Sequence, residues 1–180
     1  MNENETKLVE IMKALNDEGV LNNVILIGSW CLLFYKYIFE DFSPLVRTTD
    51  IDFYVPNVKA IKEKNSLVKS LKAINYDIIH DSLTHKSIFI SPDGFELEFL
   101  TRQNRQQLAC VKLGNTGVYA EALSYIEIFA GNYIEVEFFG INVKVASPAS
   151  YIIQKMLINK DRKEKKEKDI EVYKTCPIIC

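Results

Sequence analysis

Acidic side chains recur two residues apart in the segment Asp50-Ile51-Asp52-Phe53-Tyr54-Val55. Alternation with large apolar residues is typical of a β-strand, in which residues i and i+2 point to the same face. Asp50 and Asp52 are therefore predicted to share one face, while Ile51 and Phe53 point into the core. Two like charges side by side repel each other, so the pair costs stability unless a cation lies between them. We therefore predict that these two carboxylates hold a divalent metal ion.

A second acidic pair has the same spacing in Phe95-Glu96-Leu97-Glu98-Phe99. Glu96 and Glu98 are predicted to share the strand face opposite the apolar residues. Taken by itself, this segment is explained by a strand whose glutamates face solvent. Glu98 has large apolar neighbours on both sides, whereas Glu96 adjoins a turn, so Glu98 is the predicted third carboxylate of the metal site.

A glycine and a serine follow the apolar run Val24-Ile25-Leu26-Ile27. Gly28 and Ser29 are predicted to form a strand-to-helix turn, with Ser29 as the N-cap of a helix from Trp30 to about Glu40. Free backbone N–H groups and a hydroxyl at a helix N-terminus suit the phosphates of a nucleoside triphosphate. The same dipeptide is ordinary at such turns, so it indicates phosphate binding only together with the aspartates.

Alternating helices and strands must position these residues. Helices are predicted before Gly19 and over residues 30–40, 58–73, 118–130, 148–159 and 161–174. Strands are predicted at 24–27, around the aspartates, and at 76–80, 86–91, 95–100, 133–138 and 141–145. This pattern predicts an α+β fold, in which a mixed sheet is flanked by helices and followed by C-terminal helices. We expect a core over residues 1–146 and a helical extension over 147–180 that packs on it.

Composition limits the class of protein. The chain has 180 residues, 48% of them hydrophobic, and a net charge of -2, which suits one compact domain and argues against a surface that binds nucleic acid everywhere. The N-terminus is polar, and no apolar run approaches the roughly 18 residues that span a bilayer, so a cytoplasmic protein without membrane contact is expected. The scattered cysteines and the two histidines offer little to a zinc site or a Ser-His-Asp triad.

Basic and hydroxyl side chains supply further candidates for phosphate binding. Lys155 lies among apolar residues of a predicted helix, where extension of the ammonium to water is the default. An unbroken helix would place Lys155 on one face with Arg162, Lys166 and Asp169, although a solvated helix of mixed charge explains the last three equally well. Arg47 could reach a phosphate, and Thr49 could fix the loop before the aspartates through a side-chain bond to the backbone.

The order of these motifs resembles the nucleotidyltransferase superfamily of the DNA polymerase beta type. The resemblance covers Val24 to Leu100: an apolar strand, Gly-Ser, a helix, Asp-x-Asp on a strand and a later acid within an apolar strand. Ala146-Ser147-Pro148 followed by Lys155 is similar to minimal bacterial nucleotidyltransferases, which include the toxin-like AbiEii proteins. One departure from the usual pattern is Glu98, where aspartate is common.

The resemblance implies a magnesium-dependent enzyme that transfers a nucleoside monophosphate from an NTP to an acceptor hydroxyl and releases pyrophosphate. It implies two Mg²⁺ ions, for which the catalytic and metal-binding residues would be Asp50, Asp52 and Glu98. It also implies a set of residues that bind the NTP, namely Gly28, Ser29, Arg47, Thr49 and Lys155. The acceptor is left open among tRNA, protein and a small molecule, and a toxin-like role would add a cognate antitoxin as partner. The alternative is a nucleotide-binding or regulatory module that keeps the fold and has lost efficient catalysis.

Overall fold

The computed structural model describes residues 3–39, 42, 48–62, 67–104, 106 and 108–159. These residues form four α-helices, which are α1 (Glu3–Asp17), α2 (Cys31–Tyr35), α3 (Leu67–Ala73) and α4 (Pro148–Asn159). They also form nine strands, which are β1 (Ile25–Ile27), β2 (Asp50–Tyr54), β3 (Asp77–His80), β4 (Ser87–Ile90), β5 (Glu96–Arg102), β6 (Cys110–Lys112), β7 (Tyr119–Leu123), β8 (Tyr133–Phe138) and β9 (Ile141–Ala146). Short 3-10 turns occupy Leu21–Asn23, Gly28–Trp30 and Ile126–Phe129.

The described strands belong to one mixed sheet in the order β3-β4-β5-β2-β1-β9-β8. Strand β2 lies inside the sheet, antiparallel to β1 and parallel to β5. Strand β7 pairs in parallel with the C-terminal half of β5, and β6 pairs with β7. The predicted α+β fold with a mixed sheet is confirmed.

Helix α1 confirms the periodicity of apolar residues near the N-terminus. Its side chains at helical spacing are fully buried, namely Leu8, Ile11, Met12 and Leu15. The helix ends before Gly19, whose φ of +66° is a conformation that glycine adopts without a steric penalty. One face of α1 thus covers the core.

The two predicted hairpins and helix α4 are also confirmed. Strands β4 and β5 are antiparallel across the turn at residues 92–94, and β8 pairs with β9 across residues 139–140. Ser147 caps α4, because its Oγ accepts a hydrogen bond from the backbone N–H of Ser150 at 3.2 Å. Helix α4 packs near the 3-10 turn of Ile126–Phe129. The boundary between a core and an extension at residue 146 stays a prediction.

The predicted helix over residues 118–130 is wrong. The segment instead forms strand β7 and the 3-10 turn of Ile126–Phe129. Alanine, glutamate and leucine favour helices, but Glu121 lies opposite Leu100 of β5, and Ala120 lies opposite Val111 of β6. Backbone pairing on both sides outweighs a propensity difference of a few tenths of a kcal/mol per residue.

Two other predicted helices are shorter than expected. The buried helix after Gly28 starts at Cys31 and ends at Tyr35, and it begins from the 3-10 turn rather than from a cap at Ser29. Of the helix expected from Val58, the described residues form α3 (Leu67–Ala73), whereas residues 58–60 form a turn. In that turn the Asn57 side chain accepts a hydrogen bond from the N–H of Lys59, which competes with helical pairing. The charged helix predicted over residues 161–174 lies outside the described residues.

Candidate active site

Strand β2 presents the two aspartates as predicted. Ile51 and Phe53 are fully buried, whereas Asp50 is exposed and Asp52 is partly buried. In the parallel pairing with β5, Asp50 lies opposite Glu96 and Asp52 lies opposite Glu98. Residues opposite each other in a sheet point to the same face, so both acidic pairs share one surface.

Gly28 lies directly against this surface. Strand β1 ends at Ile27, which lies opposite Asp52, and the chain then turns at Gly28 with φ of +71°. A Cβ atom at Gly28 would lie 2.6 Å from Oδ2 of Asp52, which is far closer than carbon and oxygen atoms pack. Glycine is therefore needed here both for the left-handed backbone and for the space beside the carboxylate. Ser29 follows in the 3-10 turn, which has no side-chain cap.

Burial and neighbouring like charges raise the pKa of two carboxyl groups on this surface. Burial, together with the nearby charges of Glu98 and Asp50, raises the pKa of Asp52 to about 6. Burial also raises the pKa of Glu98, against the opposing effect of Lys86. Burial and like charges thus both disfavour the ionised form of Asp52, and a bound cation would favour that form.

Lys86 and Glu121 join the site, and the sequence analysis missed both. The Nζ of Lys86 lies 2.8 Å from Oε2 of Glu98 and 3.0 Å from Oε2 of Glu121. Ile88 lies opposite Glu98, so the alternation of β4 places Lys86 on the same face. Placing Lys86 at the site from the sequence would have required the β4–β5 register. Nothing in the sequence indicated Glu121, because its segment was predicted as a helix.

Helix α4 brings Lys155 near Asp52. It is partly buried on α4, its Nζ lies 5.8 Å from the centre of the Tyr151 ring, and its charge lowers the pKa of Asp52. The ammonium therefore lies close enough to act on Asp52. Arg162, Lys166 and Asp169 lie outside the described residues.

The loop before β2 is fixed by a different threonine from the one predicted. The Oγ1 of Thr48 accepts a hydrogen bond from the N–H of Asp50 at 3.2 Å. Thr49 is exposed, and its backbone carbonyl accepts a bond from the N–H of Glu96 at 3.0 Å. Thr49 thus links the starts of β2 and β5 through its backbone. Arg47 lies outside the described residues.

Carboxylate oxygens in this arrangement match the preference of Mg²⁺ for hard oxygen ligands. Asp50 and Asp52 project together beside the Gly28 turn, and Glu98 is in register with Asp52. Across the described ranges, however, no group of three or more His, Cys, Asp or Glu side chains is assembled to hold a metal ion. The two aspartates fit a hard cation, whereas the carboxylate of Glu98 forms an ion pair with Lys86.

The remaining candidates behave as ordinary side chains. Cys31 is fully buried, donates to the carbonyl of Leu26 at 3.3 Å, and has a pKa raised by burial, so its thiol is inert. His80 and His85 are exposed, as predicted.

No helix in the described part of the chain is both long and apolar enough to cross a membrane.

The raised pKa of Asp52 makes a prediction about stability. Its folded pKa of about 6 lies above the usual 3.8, so the unfolded chain releases this proton first as the pH rises. Ionised Asp52 should therefore lower the free energy of unfolding of the metal-free protein by up to about 3 kcal/mol. This loss grows between the two pKa values and is constant at higher pH. In EDTA, Asp52→Asn should melt higher than the unaltered protein at pH 7. The difference should shrink towards pH 4, and an equal difference at both pH values would contradict it.

Comparisons with known proteins identify a family and a shared fold. A family model described as nucleotidyltransferase matches residues 6–175. No curated protein matches the chain significantly by sequence.

Several solved structures share the fold. The antibiotic-resistance factor ANT(2″)-Ia, solved in complex with adenylyl-2″-tobramycin, is 14% identical with a TM-score of 0.59, over 97% of this chain and 88% of that one. An antigenic nucleotidyltransferase-like protein from Paracoccidioides brasiliensis is 18% identical with a TM-score of 0.58, over 98% and 77%. The lincosamide antibiotic adenylyltransferase LnuA, solved with lincomycin, is 14% identical with a TM-score of 0.56, over 100% and 99%.

At such low identity the solved structures support the fold alone, whereas the family model spans nearly the whole chain and includes β2, β5 and the Gly28 turn. The protein is therefore an enzyme that belongs to the nucleotidyltransferase family.

Proposed function

We propose that this protein transfers a nucleoside monophosphate from a magnesium-bound NTP to a hydroxyl group of a small-molecule acceptor. The observation that carries the proposal is the placement of Asp50 and Asp52 on one face of β2, directly beside the Gly28 turn. The small-molecule class is favoured over tRNA or protein by the solved structures with adenylyl-2″-tobramycin and with lincomycin. The chain covers 88% and 99% of those two proteins.

The proposed roles follow from the positions of the side chains. Asp50 and Asp52, with Glu98, would hold two Mg²⁺ ions. When bound, these ions supply neutralisation of phosphate charge and a lowered pKa for the acceptor hydroxyl. The backbone at Gly28 and the hydroxyl of Ser29 would bind the terminal phosphates of the NTP.

Bond changes in the proposed reaction are those of an in-line displacement. The acceptor oxygen forms a bond to the α-phosphorus, and the bond from that phosphorus to the bridging oxygen breaks. Pyrophosphate carries away the electron pair of the broken bond. Glu98 accepts the hydroxyl proton, because its carboxylate lies in register with Asp52 on the same face of the sheet.

A second candidate function is nucleotide binding without efficient transfer. It is favoured by one observation, which is the ion pair between Glu98 and Lys86. A carboxylate kept on a lysine would neither complete the metal site nor accept a proton. Turnover separates this candidate from the first, because both predict NTP binding that depends on magnesium.

The test is incubation of the purified protein with each of the four labelled NTPs, Mg²⁺ and a whole-cell extract, with Asp52→Asn in parallel. Label in the small-molecule fraction that needs the unaltered protein would support the proposal. Label in RNA or protein would show that the acceptor belongs to that class and is not a small molecule. NTP binding without label in any fraction would favour the second candidate.

Lys155 provides a separate prediction about the NTP. Because its charge already acts on Asp52, Lys155→Ala should weaken NTP binding about tenfold without unfolding the protein. Isothermal titration calorimetry with a nonhydrolysable NTP and Mg²⁺ would measure the change. Lys144→Ala is the matched control, since the Nζ of Lys144 also lies above a tyrosine ring, that of Tyr133 at 5.5 Å, on a strand away from β2. Equal NTP affinities of the two variants would mean that Lys155 does not bind the NTP and only extends to solvent.

A further inference from the structure

Lys86 occupies an unusual place between two carboxylates. Its Nζ is 2.8 Å from Glu98 and 3.0 Å from Glu121, both within hydrogen-bond distance. The side chains are largely shielded, with exposed fractions of 22% for Lys86, 14% for Glu98 and 35% for Glu121. Shielding from water makes such contacts stronger than those of a fully exposed pair.

The sheet fixes all three side chains on the face that carries Asp52. Strand β5 lies between its neighbours, with Glu98 opposite Asp52 of β2 on one side and opposite Ile88 of β4 on the other. Further along β5, Leu100 lies opposite Glu121 of β7, and Leu100 is on the same face as Glu98. The lysine therefore reaches Glu98 from the edge of the site opposite to Gly28.

We propose that Lys86 competes with the metal ion of the proposed site for the carboxylate of Glu98. The metal-free state has Lys86 shared between Glu98 and Glu121. Binding of a divalent ion by Glu98 weakens the contact with Lys86, and Glu121 keeps the ammonium paired. This inference rests on the proposed metal site at Asp50 and Asp52.

The physical reason is that Glu98 has only a few directions in which it can accept a cation. An ammonium and a divalent ion next to the same carboxylate repel each other, so each lowers the affinity of the site for the other. A lysine left without a partner in this shielded place would be costly. Glu121 removes that cost, which explains why two carboxylates meet one lysine.

The experiment measures Mn²⁺ binding to the full chain by electron paramagnetic resonance, without nucleotide or turnover. We expect Lys86→Met to bind Mn²⁺ about fivefold more tightly than the unaltered protein, because the competing cation is gone. Lys86→Arg should change the affinity by less than about twofold, since it keeps the charge. Lys112→Met, which removes the positive charge of an exposed side chain at the end of β6, is the control for net charge. Melting temperatures confirm that each variant is folded.

A double-mutant cycle decides whether the effect passes through Glu98. In a Glu98→Gln background, Lys86→Met should alter Mn²⁺ affinity by less than about twofold, because the shared carboxylate is absent. A gain as large as in the unaltered background would mean a general field effect and would overturn the proposal. Unchanged or weaker Mn²⁺ binding by Lys86→Met alone would also overturn it.

Failure of the metal site itself has a different signature. Asp52→Asn should weaken Mn²⁺ binding strongly if the proposed function is right. Mn²⁺ binding that survives Asp52→Asn would place the metal elsewhere and remove both proposals. Binding that is lost in Asp52→Asn, together with no effect of Lys86→Met, would remove only the role of Lys86.

Discussion

Asp52→Asn is expected to reduce the rate of nucleotidyl transfer by about a thousandfold or more while the protein remains folded. The amide has the shape of the carboxylate but lacks its charge, so it fails to hold a divalent ion beside Asp50. Burial and the like charges of Glu98 and Asp50 already destabilise the ionised form of Asp52 in the metal-free protein. The substitution should therefore remove activity without cost to stability.

The measurement is the rate of label transfer at saturating NTP and Mg²⁺, with melting curves of the same samples. Mg²⁺ should raise the melting temperature of the unaltered protein but hardly that of Asp52→Asn, because a ligand stabilises only the state that binds it. Asp77→Asn is the matched control, since Asp77 is an exposed strand aspartate on β3, three strands from β2. Transfer that survives in Asp52→Asn would refute the assignment of this residue as a metal ligand.

Gly28→Ala is expected to have the second largest effect, with a loss of transfer of about a hundredfold. The new Cβ would lie 2.6 Å from Oδ2 of Asp52, so either the carboxylate or the turn must move. A displacement of about 1 Å at a reacting centre costs roughly this factor. Alanine would also be strained at φ of +71°, which should lower stability by about 1 kcal/mol or more.

Gly140→Ala separates the two consequences of that substitution. Gly140 has φ of +79° in the β8–β9 turn, and a Cβ atom there would meet nothing within 4 Å. Both alanine variants should lose stability from the backbone, but only Gly28→Ala should lose transfer beyond its folded fraction. Comparable activities per folded molecule would show that contact with Asp52 is unimportant.

Strands with strong alternation were predicted correctly because their two faces differ. In β2 the apolar residues Ile51 and Phe53 had to be buried, which left Asp50 and Asp52 on the other face. The failed helix at residues 118–130 had no such contrast. Its residues are compatible with a helix, and only the available edges of β5 and β6 made a strand more favourable.

The sequence by itself determined that two aspartates share a strand face, because the period of a strand and the burial of its apolar residues are local properties. Only the tertiary structure decided which side chains surround them. That the Gly28 turn lies against Asp52 follows from the β1–β2 register. Lys86 and Glu121 meet Glu98 because β4 and β7 both pair with β5 in the sheet. Strand register sets contacts between distant residues, and it depends on the packing of the whole sheet rather than on any one segment.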